Sequence, residues 1–221
     1  MKSYQNSILS ILQVITENHP EVMNLLIEKR RLDLSNDISR VFNHTVQYGP
    51  FKGLRFPQES HWGLRDRASM IFSMYEQEIL RIIENLPNKY TKFIDLGAAD
   101  GYYGVGVLVN KIFEKSYCFE ITNEGQEVIK KNAELNQVQI QFIHQSILET
   151  EDLGQQFDLI VSNPPYVRDL EKQEIKKNVL DNEPHLALFV ADNDALLFYR
   201  KIAQLAQKNL SPTGQLYFEI N

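Results

Sequence analysis

The tetrapeptide Asn163-Pro164-Pro165-Tyr166 directly follows the apolar run Phe157-Asp158-Leu159-Ile160-Val161-Ser162. Two successive prolines remove two amide donors and stiffen the backbone, so a central strand cannot continue through them. What is left to face a ligand is rich in acceptors, namely the Asn163 side-chain oxygen and the Pro164 carbonyl. Tyr166 adds a planar aromatic face. These parts suit a planar NH2 group conjugated to a carbonyl or a ring. Such a nitrogen is a poor nucleophile because its lone pair is delocalised. Two acceptors can hold its hydrogens and turn the lone pair toward an electrophile, while the ring sets the plane. Alignment at near-attack distance would supply most of the rate. No strong base is needed before attack, since the nitrogen can lose its proton once substituted. A merely stiffened loop is the plain alternative. The position of the tetrapeptide at a strand end, facing a second glycine-bearing turn, favours the chemical reading.

That second turn is Asp95-Leu96-Gly97-Ala98-Ala99-Asp100-Gly101, which closes the strand candidate Phe93-Ile94-Asp95-Leu96. Gly97 lets the backbone turn sharply and approach a ligand, and Gly101 can take a conformation closed to residues with side chains. The G-x-G-x-x-G fingerprint and the Gly-Lys-Ser/Thr phosphate loop are both absent, which disfavours a dinucleotide or a triphosphate. Asp95 with small residues behind it suits a ligand carrying an ammonium and a carboxylate. Glu120, 25 residues beyond Asp95, closes the next strand candidate, where a carboxylate can accept hydrogen bonds from both hydroxyls of a ribose.

The surrounding pattern supplies elements that can hold both turns. From Lys92 onward short apolar runs at residues 93–96, 117–121, 140–143, 157–162 and 215–220 alternate with amphipathic stretches at 103–113, 124–135 and 195–210. That alternation predicts βαβ units and a doubly wound, mainly parallel α/β sheet covered on both faces. Ahead of it, helical spacing runs to about Ser35 with a break at Pro20. An irregular segment at 48–62 follows, then a helix over 70–86. The expected organisation is a helical and irregular extension, 1–90, and a ligand-binding domain, 91–221.

Composition narrows the partners. The 221 residues carry a formal net charge of −6, which lacks the basic excess that duplex nucleic-acid binders use to displace counterions. No run reaches the roughly 20 apolar residues of a membrane span, and no signal-peptide pattern opens the chain, so a cytoplasmic protein is expected. Cys118 is the only cysteine and lies in an apolar run, where a core role outweighs nucleophilic use. His19, His44, His61, His144 and His185 are not at metal-ligand spacing, and no metal is expected. Trp62 reads as a packing residue.

The glycine turn with Glu120 in register resembles the class I methyltransferases. Residues 140–221 are similar to HemK-type release factor glutamine methyltransferases. The likeness rests on Asn163-Pro164-Pro165-Tyr166, Asn182-Glu183-Pro184-His185-Leu186, Phe198-Tyr199-Arg200 and Gly214-Gln215-Leu216-Tyr217-Phe218-Glu219-Ile220. This resemblance implies a Rossmann-like sheet and S-adenosylmethionine as cofactor. It implies contacts to that cofactor from Asp95, Gly97, Ala98, Ala99, Asp100, Gly101, Glu120, Ser146, Ile147 and Asn163. It implies too that Asn163 and the Pro164 carbonyl, with Pro165 and Tyr166, hold a glutamine amide of a release factor.

The pattern also departs from that family. Residues 48–138 look more like FkbM-type methyltransferases, which act on hydroxyl groups, with a seam near 137–141. Ser146 stands where the glutamine methyltransferases often carry aspartate. The sheet is expected to stop after its fifth strand, leaving an edge through which copies could associate. Three further readings follow: an O-methyltransferase of a small molecule or sugar, an adenine N-methyltransferase, and a non-catalytic module derived from such an enzyme.

Overall fold

The computed structural model describes residues 2–60, 63–87, 90–165, 167–168, 189–190 and 194–220. Helix α1 spans Lys2–Asn18 and α2 spans Pro20–Val41. The expected break at Pro20 is the start of α2, where a proline ring is pre-set for the first helical turn and its missing N–H is no loss. Helix α2 passes Ser35 and ends six residues later. Ser35 does not stop it because its hydroxyl turns outward from the helix to another segment, donating to the Arg65 carbonyl at 2.7 Å and accepting from the Ala68 amide at 3.2 Å.

The single helix expected over 70–86 is two helices, α3 (Arg67–Ile71) and α4 (Gln77–Glu84). Between them Ser73 and Glu76 adopt left-handed φ values of 56° and 44°. The interruption is tertiary in origin. The Ser73 hydroxyl donates to the Tyr48 carbonyl at 2.5 Å, and the Tyr103 hydroxyl donates to Glu76 Oε2 at 2.5 Å. Contacts from two distant segments thus override a helical spacing that local periodicity supports.

From Lys92 onward strands and helices mostly alternate. Strand β1 (Lys92–Leu96) leads to α5 (Tyr102–Val109), and β2 (Lys115–Phe119) to α6 (Asn123–Leu135). Strand β3 (Gln141–Ile143) is followed by a 3-10 turn, Ile147–Glu149, and then by β4 (Phe157–Ser162). Two-residue strands β5 (Val167–Arg168) and β6 (Phe189–Val190) pair in parallel with each other. Helix α7 (Leu197–Asn209) runs straight into β7 (Leu210–Phe218). Helix α5 stops four residues before the expected end because Asn110 caps it, its side-chain amide donating to the carbonyls of Pro50 and Lys52.

The large sheet is parallel throughout, in the order β3-β2-β1-β4-β7. Its central strands are buried almost continuously, as a sheet covered on both faces requires. Phe93, Leu159 and Val161 pack on one face with α5 and with Phe51, Leu54, Ile71 and Ile83. Ile94, Leu96 and Ile160 pack on the other with Ile202, Leu205 and Ala206 of α7. The expected 1–90 extension is therefore uneven in its packing. Residues 46–83 share a core with the sheet, whereas Ser35 and Ser39 are the buried residues of α2. No described helix is long and apolar enough to cross a membrane.

Candidate active site

A cavity of about 570 Å³ opens over the carboxyl ends of β1, β2, β4 and β7, where ligands bind in open α/β sheets. At its floor, the amides of Gly97 and Ala98 both donate to the Phe119 carbonyl, at 2.8 and 3.1 Å, which ties the first turn to the end of β2. Gly97 has φ 89°, and a Cβ built there meets nothing within 4 Å. It therefore presents bare backbone to open space, which a flat ligand can approach closely. Ala99 takes φ 47°, and its amide donates to Glu120 Oε2 at 3.0 Å. Glu120 Oε1 accepts from the Thr122 amide at 2.8 Å and the Thr122 hydroxyl at 2.7 Å. The carboxylate that was expected to receive a ribose is thus held rigidly on both oxygens, with lone pairs to spare.

Of the residues singled out for the cofactor, Asp95, Gly97, Ala98, Ala99, Asp100, Glu120, Ser146, Ile147 and Asn163 all line this one cavity. Gly101 is not among the lining residues. It caps α5 in the left-handed region, at φ 77°, and its amide donates to the Ala98 carbonyl. Asp100 reaches the cavity, but its Oδ2 accepts from the Ser60 hydroxyl and from the Gly63 amide, so it also fastens the loop ahead of α3. Arg67, stacked 4.4 Å over the Phe56 ring and almost wholly buried, sits in the field of Asp100, and burial lowers its pKa to about 10.

The second turn meets the first across β4. The Ser162 hydroxyl donates to the Leu96 carbonyl at 2.6 Å, and the Ser162 carbonyl accepts from the Glu219 amide at 3.1 Å. Asn163 follows, with its Nδ2 donating to Glu219 Oε2. Pro164 and Pro165 line the cavity beside it, while Tyr166, Trp62, His61 and the stretch 182–188 lie outside the described residues.

Several residues of the cavity were not singled out from sequence. Tyr75 and Glu76 come from the break between α3 and α4, Glu219 from the turn after β7, and Arg31 from α2. Arg31 is ion-paired to Glu28 at 2.9 Å and to Asp66 at 2.5 Å. Glu219 could have been suspected, since it ends a strand expected to lie parallel to β1. Nothing local marks Glu76.

The cavity is acidic. Asp66, Glu76, Asp95, Asp100, Glu120 and Glu219 line it, against Arg31 as its lining arginine. Complete burial, and then the neighbouring Glu76 and Glu120, push Asp95 up to about 8, with an opposing hydrogen bond from the Gly104 amide. Burial followed by Glu76 pushes Glu219 up to about 8 as well. Burial and like charge favour the neutral form of these carboxyls, so the pocket resists added negative charge and suits a ligand of net positive charge. S-adenosylmethionine, with a sulfonium, an ammonium and one carboxylate, has that net charge. The open face of Gly97, the anchored Glu120 and the buried Asp95 fit its backbone-contacting, ribose and ammonium parts. Cys118 is fully buried and raised well above the ordinary thiol range, so it is a core residue, as expected.

A parallel sheet in this order, with a glycine-bearing turn after β1, an acidic residue after β2 and an Asn-Pro-Pro turn after β4 around one cavity, defines a class I S-adenosylmethionine-dependent methyltransferase. A family model described as the methyltransferase small domain matches residues 78–187. A release factor glutamine methyltransferase of Lactococcus lactis subsp. lactis is 35% identical over 207 residues, covering 90% of this chain and 73% of that protein. The chain belongs to the release factor glutamine methyltransferase family. Proteins of that name from Flavobacterium psychrophilum and Bacteroides thetaiotaomicron are 55% identical over 133 residues and 42% identical over 131 residues. These matches cover 60% and 59% of this chain, and 47% of each relative. The chain thus spans about half the length of those two relatives. The Lactococcus alignment also carries the likeness well beyond residues 140–221, into residues 48–138, where an FkbM-type likeness was expected.

Proposed function

We propose that this chain transfers a methyl group from S-adenosylmethionine to the side-chain amide nitrogen of a glutamine in a peptide-chain release factor, in the cytoplasm. The observation that carries the reading is the Asn163 hydrogen bond to Glu219. With Nδ2 committed to a carboxyl group, Oδ1 is the end left to face a ligand, and an oxygen at this position accepts from an NH2 group. The names of the relatives point to the same acceptor.

In this reading Asp95 holds the cofactor's ammonium, Glu120 its ribose, and Ser146 and Ile147 flank its base. The cofactor supplies an electrophilic methyl group. Asn163 Oδ1 and the Pro164 carbonyl take the two amide hydrogens, Pro165 stiffens the turn, and Tyr166 supplies the flat face. Residues 91–221 would carry cofactor and chemistry, while residues 1–90 wall the cavity and meet the acceptor protein. An exocyclic adenine NH2 would suit the same acceptors, but a lining rich in acidic side chains, with Arg31 as its one arginine among the described residues, offers a phosphate backbone little.

The test is transfer of isotope-labelled methyl from S-adenosylmethionine to a release factor, with the modified residue located by mass spectrometry. Label on the glutamine of the Gly-Gly-Gln motif, reduced about 100-fold or more in Asn163→Ala with cofactor affinity retained, is the expected result. Absence of label with the wild-type protein would sink this substrate assignment.

A further inference from the structure

We propose that Glu219, held in turn by Glu76, is a positioning residue that locks the Asn163 amide with its oxygen toward the acceptor, and so makes the site selective for an NH2 group. The proposal rests on the amide-methylation reading and deepens it. The two flips of an asparagine amide have nearly the same shape, so only hydrogen-bond partners choose between them. Asn163 is exposed, and packing does not make that choice. Glu219 Oε2 does, by accepting from Nδ2. With the opposite flip, Nδ2 would meet the NH2 of the acceptor donor to donor.

Glu219 is itself fixed at both ends. Its amide donates to the Ser162 carbonyl at 3.1 Å, and its carbonyl accepts from the Tyr199 hydroxyl at 3.2 Å. Its side chain lies beside that of Glu76, close enough for the two carboxyl groups to share a hydrogen bond. Two carboxyl groups can share a hydrogen bond only if one of them carries a proton. Glu76 already accepts from the Tyr103 hydroxyl at 2.5 Å, with the Tyr75 side chain within reach of it. The proton therefore belongs to Glu219, which donates it to Glu76 and keeps a carbonyl-like oxygen for Asn163. The groups facing Glu219 are Glu76 and Tyr75 from the break before α4, and Asp66 at the head of α3. Glu76 and Asp66 oppose a second negative charge there, while Tyr75 stays neutral. Burial and Glu76 push the Glu219 carboxyl up to about 8, so the clamp should loosen above that pH.

Glu219→Gln reproduces the protonated form, with an NH2 to donate to Glu76 and an oxygen to accept from Asn163. Glu219→Ala removes both functions. Asparagine-selective 15N spectra of the cofactor-free protein, with Asn163 assigned by its loss in Asn163→Ala, read the clamp without turnover. The wild-type Asn163 NH2 signals should shift as pH passes through about 8. They should be displaced toward free-amide positions in Glu219→Ala and stay native-like and pH-insensitive in Glu219→Gln. In turnover at saturating cofactor, Glu219→Ala should lose about 100-fold in kcat with cofactor KM within about twofold. Glu219→Gln should stay within a few-fold and lose the alkaline fall in kcat.

Asn163 signals unchanged in a folded Glu219→Ala would overturn the proposal whatever the activity. Signals that respond as described, in a wild-type protein that does not methylate a release factor, would support the clamp and sink the substrate reading alone.

Discussion

Replacing Asp95 with asparagine isolates the contribution of one buried carboxyl to cofactor binding. In the ligand-free protein Asp95 is pushed up to about 8 by burial and by Glu76 and Glu120. At pH 7 it is then about 90% protonated. A carboxylic acid accepts weakly from an ammonium, so binding S-adenosylmethionine must expel that proton. About 0.9 proton should be released per cofactor bound at pH 7, if binding brings Asp95 below pH 6. The cost of stripping the proton at pH 7 is about 1.4 kcal/mol, equal to one pKa unit. Wild-type affinity should therefore rise up to about tenfold per pH unit from pH 6 to pH 7.5. Calorimetric titration in buffers of different ionisation enthalpy measures the released proton directly. The cofactor's own amino group titrates near pH 8, and Asp95→Asn removes the protein's share while leaving that background. Glu219→Gln separates the second raised carboxyl in the same way. The variant should bind about 10-fold to 100-fold more weakly, with the pH slope and proton release reduced to background, since a charge-assisted contact is lost. The sign for stability follows from the same shift. Because the folded-state value lies above the ordinary 3.8, the stabilising contribution is complete below about pH 4 and is lost as pH rises toward about 8. Ligand-free Asp95→Asn should accordingly exceed wild type in stability at pH 8 by up to a few kcal/mol. Equal proton release in wild type and variant, or a flat pH dependence in wild type, would refute this account of Asp95.

Two further outcomes can be checked. Gly104 lies where α5 crosses β2 so closely that a Cβ would overlap the sulfur of Cys118. Gly104→Ala should cost about 1–3 kcal/mol in urea unfolding, and Cys118→Ala added to it should restore part of that loss. A fully stable single variant would show that the contact relaxes freely. Glu120→Ala removes the acceptor of the Ala99 and Thr122 amides, and its cofactor affinity should fall about 10-fold to 100-fold. Unchanged affinity in calorimetry would remove Glu120 from the cofactor site.

Sequence by itself determined the alternating architecture and the two turns that carry the chemistry. Both are local properties. Strands buried on two faces read as unbroken apolar runs, and a strand that ends in Gly97 or in Pro164-Pro165 says so in its own residues. Glu120 was legible because one βα unit separates it from Asp95. Strand limits were less so: β2 ends at Phe119 and not at 121, and β7 begins at Leu210 and not at 215, because pairing partners decide where a ladder starts.

Only the tertiary structure decided what surrounds the acceptor. The helical spacing of 70–86 reports which side chains are apolar. It carries no information about Tyr48 and Tyr103, whose hydrogen bonds to Ser73 and Glu76 fix those two residues where the helix breaks. That break brings Glu76 to Glu219, 143 residues further along the chain, and Glu219 sits beside Asn163. The division is physical. Periodicity and turn chemistry are written within a few residues, whereas two half-buried carboxyl groups 143 residues apart meet only when the chain folds.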